Sequence, residues 1–252
     1  MLEISFERKV VFISGAASGF GKLAAERFYE SGARLVLVDL NLEALLQASA
    51  GFGDRAIALQ CDVTSSEQLV SVFEQIRAKW GVLHIAVNNA GKAQELKNLE
   101  QLSDAEWQQM IDINLSGVFF AMREQIKMML AHGSGVIVNV ASVAGVLGAP
   151  GLGAYGAAKH GVVGLTRTAA VEHAADGIRV NAVCPGFSET PMMTAIRDSA
   201  SGDLDTSATS RIPMGRISTP EEIVQALLWL CSEANSFMTG SSVVLDGGLT
   251  AS

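Results

Sequence analysis

The chain has 252 residues, 49% hydrophobic and 17% charged, with a formal net charge of −8 and a pI near 5.0. That balance argues against nucleic acid or any other polyanion as a partner, and no apolar run reaches the roughly 20 residues that a membrane span needs. Apolar periodic segments follow one another without a linker or a low-complexity stretch, so a single domain over residues 1–252 with one sizeable core is expected.

Residues 1–9 lack the charged-then-apolar layout of a signal peptide, and a cytoplasmic location is expected. Cys61, Cys184 and Cys231 are odd in number and widely spaced, which suits small buried side chains in a reducing compartment and fits neither disulfides nor a zinc cluster. His84, His132, His160 and His173 have no metal-ligand spacing, so no metal is expected.

The first apolar run, residues 10–14, reads as a buried strand breaking into a glycine-rich turn at Gly15, Gly19 and Gly21 that opens a helix over 22–31. Glycines there keep side chains away from a pyrophosphate, and the N–H groups and positive dipole end of the helix favour negative charge. Residues 34–39 form the next strand, nearly continuous in apolar residues as in a parallel sheet covered on both faces. One βαβ unit is thereby complete at Asp39, about 20 residues beyond the glycines, where a carboxylate accepts bonds from the ribose hydroxyls of a dinucleotide. A 2′-phosphate would meet the charge of Asp39, and neither Leu40 nor Ser18 supplies a cation to offset it. NAD is therefore expected in preference to NADP.

Strand and helix keep alternating: strand 55–61, helix 65–80, strand 83–88. Such alternation predicts right-handed crossovers and an open parallel sheet. The strand ends are polar, with Asp62 after the third, Asn88-Asn89-Ala90-Gly91 after the fourth and Ser142 after the fifth. Ser103 begins a capping box with Glu106, and the helical stretch that follows extends to about residue 132. Asn114 interrupts it, since an asparagine in an apolar helix draws the backbone into local bonding and predicts a kink or a bound water. The fifth strand covers 136–140, a small-residue loop covers 141–153, and a helix covers about 154–175.

On that last helix Tyr155 and Lys159 are four residues apart, hence on one face with Cβ atoms about 5–6 Å apart. A free phenol ionises near pH 10; lowering that by about three units takes roughly 4 kcal/mol, which a neighbouring ammonium and an oxidised nicotinamide can supply in a partly dry site. Residues 187–217 show weaker patterning, with Met192 and Met193 followed by a run of small polar residues and aspartates, as in a long loop that is functional or mobile. Thr219-Pro220 starts a helix reaching about residue 232, and 243–246 is the last strand.

Gly15-x3-Gly19-x-Gly21, Asp62, Asn88-Asn89-Ala90-Gly91, Asn114, Ser142, Tyr155-x3-Lys159 and Pro185-Gly186, in this order and at these separations, resemble the short-chain dehydrogenase/reductase family over about residues 9–248. The resemblance implies an α/β chain with a single-domain Rossmann fold, a doubly wound seven-stranded parallel sheet with helices on both faces, and a nicotinamide cofactor. It implies catalysis by Ser142, Tyr155 and Lys159, with Tyr155 as general acid/base, Ser142 bonded to the substrate oxygen, Lys159 on the nicotinamide ribose and Asn114 holding a water that links Lys159 to solvent. Cofactor contacts fall by the same resemblance on Gly15, Ser18, Gly19, Phe20, Gly21, Asp39, Leu40, Asp62, Val63, Asn89, Ala90, Gly91, Tyr155, Lys159, Pro185, Gly186, Ser188 and Thr190. Substrate would meet Ser142, Leu152, Tyr155, Phe187, Met192 and Met193, beneath a lid over 188–217. Ser14 stands where the family usually has threonine, and Ser188 where it commonly has an aliphatic residue.

The expected function is NAD-dependent interconversion of a secondary alcohol and a ketone by a homotetramer. A sugar or polyol dehydrogenase and a non-catalytic NAD-binding regulator are the alternatives. A methyltransferase shares the glycine turn but has no use for the Tyr155/Lys159 pair.

Overall fold

A computed structural model of the chain describes residues 4–194 and 209–252. Its elements are β1 (Val10–Ser14), α1 (Gly19–Glu30), β2 (Arg34–Asp39), α2 (Leu42–Ser49), β3 (Ala56–Gln60), α3 (Ser66–Trp80), β4 (Ile85–Asn88), α4 (Asp104–Ile111), α5 (Gly117–His132), β5 (Gly135–Val140), α6 (Gly153–His173), β6 (Ile178–Pro185), α7 (Pro220–Cys231) and β7 (Ser242–Leu245). The seven strands form one sheet in the order β3-β2-β1-β4-β5-β6-β7, and every pairing is parallel.

The continuous apolar strands follow from burial on both faces. In β1, Val10 and Phe12 face one core with α3, α5 and α6, while Val11 and Ile13 face a second with α1, α2 and α7. β2 divides in the same register, Val36 and Val38 to the first core, Leu35 and Leu37 to the second. The chain leaves β1 toward β2 on one side and returns through β4 on the other. The crevice outside the ends of β1 and β4 is therefore the switch point where ligands of open α/β sheets bind.

Two local features differ from the sequence reading, the start of α1 and strand β6, and the expected break at Asn114 takes a specific form. Helix α1 begins at Gly19, three residues before the expected start, because glycines at the turn are tolerated in its first turn. The interruption at Asn114 is a π-helical turn, Asp112–Ser116. Strand β6 is not evident in the sequence pattern, because Arg179 and Asn181 break its apolar run. In the structure Arg179 donates to the carbonyls of Leu230, Ser232 and Met238, and Asn181 donates to that of Met238.

Candidate active site

The crevice is built on mutual support between the loops after β1 and β4. Asn89 Nδ2 donates to the carbonyls of Ser14 and Gly15, each at 3.0 Å. The Ser14 hydroxyl in turn accepts from the Asn89 and Ala90 amides, each at 3.1 Å. Serine thus does at this position what a threonine hydroxyl would do. Gly15 and Gly19 adopt φ of 65° and 53°, conformations that side chains resist. A Cβ on Gly21 would lie 2.1 Å from the Gly15 oxygen. Helix α1 has no acidic residue in its first turn, and Ser18 places no side-chain cap on it, so its N-terminal dipole faces the crevice, with the Asp39 carboxylate bonded to the Ala17 amide just before it. Phe20 lies half-buried in the same turn.

Asp39, at the end of β2, is fixed with its carboxylate toward this loop: one oxygen accepts from the Ala17 amide at 3.0 Å, the other from the Asn41 amide at 3.0 Å. Leu40 beside it is exposed. Asp62 is folded into its own turn, accepting from the amide and hydroxyl of Thr64 at 2.9 and 2.7 Å, and Val63 packs where a Cβ on Gly117 would lie 2.9 Å away.

The expected chemical groups meet at the opposite end of the crevice. Lys159 is 3% exposed; its ammonium donates to the Val140 carbonyl at 2.9 Å and lies 5.6 Å from the Tyr155 ring centre. Burial pushes the Tyr155 phenol above its ordinary range, and a hydrogen bond with Ser142 works in the other direction. Burial also lowers the Lys159 ammonium to about 8. Ser142 Oγ accepts from the Ala144 amide at 3.1 Å, which orients it at the end of β5. A Cβ on Gly91 would lie 2.9 Å from Asn114 Oδ1 and 3.7 Å from Lys159 Nζ, so glycine keeps a gap open between the lysine and the loop. That gap, the side-chain-free turn at Gly15 and Gly19 and the helix dipole fit a dinucleotide.

Asn114 is fully buried. Its side chain accepts from the Lys92 amide at 3.1 Å and donates to the Lys92 carbonyl at 3.1 Å, clamping the backbone beside Gly91. It also donates to the Met110 carbonyl at 3.2 Å, the partner that the Asn114 amide would take in a regular helix. Competition for that carbonyl accounts for the π turn.

Pro185 ends β6 and Gly186 donates to the Leu245 carbonyl at 2.9 Å. Beyond them the Ser188 hydroxyl is buried and bonded to that of Ser218, so the polar residue in an aliphatic position is satisfied inside the protein. Thr190 accepts from the Met193 amide at 3.2 Å. Leu152 and Phe187 are half-buried, as is Met192, whereas Met193 is buried. Of the expected lid, residues 195–208 lie outside the described residues.

Sequence reasoning missed Gln94. Its buried side chain accepts from the Tyr155 amide at 2.9 Å and donates to the Gly151 carbonyl at 2.9 Å. The available clue was Leu152, an N-cap residue with no side-chain acceptor to offer α6.

A family model described as enoyl-(acyl carrier protein) reductase matches residues 15–250. Cyclohexanol dehydrogenase of Acinetobacter sp. (strain SE19) is 39% identical over 249 residues, covering 98% of this chain and 96% of its own. The chain belongs to the short-chain dehydrogenase/reductase family. This dehydrogenase/reductase is also 38% identical to cis-4-hydroxycyclohexanecarboxylate dehydrogenase of Sinomonas cyclohexanicum, with 98% of each chain covered. Its fold matches the crystal structure of a 3-ketoacyl-(acyl-carrier-protein) reductase from Brucella melitensis complexed with NADH, at a TM-score of 0.90 and 33% identity over 98% of this chain and 100% of the other. It is an oxidoreductase of a family that uses nicotinamide cofactors.

Proposed function

We propose that the protein is an NAD-dependent dehydrogenase interconverting an alicyclic secondary alcohol and its ketone. The observation that carries this reading is the meeting of Ser142, Tyr155 and Lys159 at one end of a glycine-lined crevice. The bound nicotinamide would supply or accept the hydride. Gly15, Ser18, Gly19, Phe20 and Gly21 would hold the pyrophosphate, Asp39 and Leu40 the adenosine ribose, and Asp62 and Val63 the adenine. Asn89, Ala90, Gly91 and Lys159 would hold the nicotinamide ribose. Pro185, Gly186, Ser188 and Thr190 would position the carboxamide.

The chain's own groups perform the proton chemistry. Ser142 Oγ holds the substrate oxygen, and Tyr155 Oη moves the proton to or from it. Because burial disfavours the phenolate, the charge that stabilises it comes from Lys159, whose three N–H donors allow it to keep Val140 and still reach a ribose hydroxyl. Asn114 holds the Lys92 backbone and with it the Gly91 gap.

Two features support the finer assignments. Asp39 is held by backbone amides at a place where a 2′-phosphate would meet its charge, which supports NAD. Leu152, Phe187, Met192 and Met193 would offer an apolar lining, and two relatives are named for alcohols on six-membered rings. Homotetrameric assembly rests on family resemblance and on Trp107, Phe119, Val171, Trp229 and Val244, exposed on α4, α5, α6, α7 and β7. No helix among the described residues is long and apolar enough to cross a membrane.

The test is reduced-cofactor formation by the purified protein with cyclohexanol, an open-chain secondary alcohol and a polyol, each with NAD and NADP. The expected result is highest kcat/KM for cyclohexanol and a preference for NAD of roughly 100-fold, about 2.7 kcal/mol. Preferred polyol turnover would favour the sugar dehydrogenase reading. NAD binding without turnover of any alcohol would favour a regulator.

A further inference from the structure

Helix α6 carries both Tyr155 and Lys159, yet nothing local caps its start: Leu152 at the N-cap has φ −120° and ψ 40° and no side-chain acceptor. Gln94, 61 residues upstream of Tyr155, fills that role from the loop after β4. Its Oε1 accepts from the Tyr155 amide and its Nε2 donates to the Gly151 carbonyl, each at 2.9 Å. The Lys97 amide donates to the same Gly151 carbonyl at 3.0 Å, and Lys97 bridges Leu152. The other end of this loop is clamped by Asn114 on both backbone groups of Lys92. A segment of a few residues therefore runs from the Gly91 gap to the first turn of α6, fixed at each end by a buried amide side chain.

We infer that Gln94 is a positioning residue that sets the height of Tyr155 against Ser142 and ties it to the loop on which the nicotinamide ribose would rest. It rests on the proposed role of Tyr155. Gln94 acts through the Tyr155 backbone and touches no reacting atom. Without its acceptor the first turn of α6 loosens, the Ser142–Tyr155 hydrogen bond lengthens, and the phenolate loses a donor. Misplacement of a reacting group by a fraction of an ångström lowers turnover by an order of magnitude or more.

The test compares wild type with Gln94→Met, similar in length and lacking both hydrogen-bonding atoms, in alcohol oxidation with NAD as a function of pH. The groups facing the phenol are Ser142 and Lys159, with Cys184 next to the lysine. The expected result is a kcat about tenfold lower on the alkaline plateau, a pH limb displaced to higher pH, and an NAD dissociation constant within about twofold of wild type. Gln94→Glu keeps an acceptor for the Tyr155 amide and is favoured at a helix N-terminus, but turns its second oxygen toward the Gly151 carbonyl that Nε2 serves; its kcat is expected to fall between those of wild type and Gln94→Met, and it serves if the methionine variant does not fold. An unmoved pH limb with unchanged kcat in Gln94→Met, or a Gln94→Glu variant as impaired as Gln94→Met, overturns the inference. Tyr155→Phe run alongside separates the two levels: if it is inactive while Gln94→Met is normal, only the role of Gln94 fails, and if it is active the parent reading fails.

Discussion

At the scale of single residues, the site is built at the expense of stability. Lys159 is an ammonium with almost no access to water, and burial lowers it from 10.5 to about 8. The shift corresponds to roughly 3 kcal/mol against the charged form in the folded state. Its sign follows from linkage: the unfolded chain binds this proton more tightly, so the penalty is present below about pH 8 and disappears as pH rises toward 10.5. Lys159→Met is therefore expected to melt roughly 5 °C above wild type at pH 7, with the gap narrowing from about pH 8 upward, while losing turnover. Thermal melts across pH check this; a variant less stable than wild type at pH 7 contradicts it.

At the scale of elements, the glycines after β1 are set by contact with the loop after β4. A Cβ on Gly21 would overlap the Gly15 backbone oxygen and lie 2.5 Å from Asn89 Nδ2, whereas one on Gly51 would meet nothing within 4 Å. Gly21→Ala is expected to lower stability by roughly 3 kcal/mol and to weaken NAD binding; Gly51→Ala should stay within about 0.5 kcal/mol. Chemical denaturation of the two variants distinguishes a packing requirement from a general dislike of side chains in loops. Much of this was legible in the sequence, because the 3.6-residue and continuous-apolar patterns identify α3, α5, β1 and β2 and a capping box marks the start of α4. What was not legible depends on partners distant in sequence. Strand β6 hides behind Arg179 and Asn181, whose side chains bond to carbonyls some 50 to 60 residues later. Asn139, in mid-strand, is satisfied by a buried network with Asn88, Gln125 and Thr166. The break at Asn114 was readable, but the clamp on Lys92 was not, since it exists only in three dimensions.

At the scale of the whole molecule, the strand order brings the ends of β1, β2 and β4 to one edge and so gathers Gly15, Asp39 and Asn89 around a single crevice. Asp39 closes that crevice with a charge anchored on Ala17 and Asn41. Asp39→Gly should bind NAD more weakly and tolerate NADP better, measured as the ratio of kcat/KM for the two cofactors. An unchanged ratio would remove the electrostatic basis for cofactor choice. The far side of the crevice, on β5 and α6, would carry the proposed chemistry, and everything proposed for the protein depends on the phenol of Tyr155 moving a proton there. The most direct test is turnover of cyclohexanol by Tyr155→Phe, with NADH binding followed by fluorescence in the same preparation. The expected result is an NADH affinity within about threefold of wild type and a kcat lower by roughly 10³-fold. A variant that binds NADH and keeps more than about a tenth of wild-type kcat would contradict it.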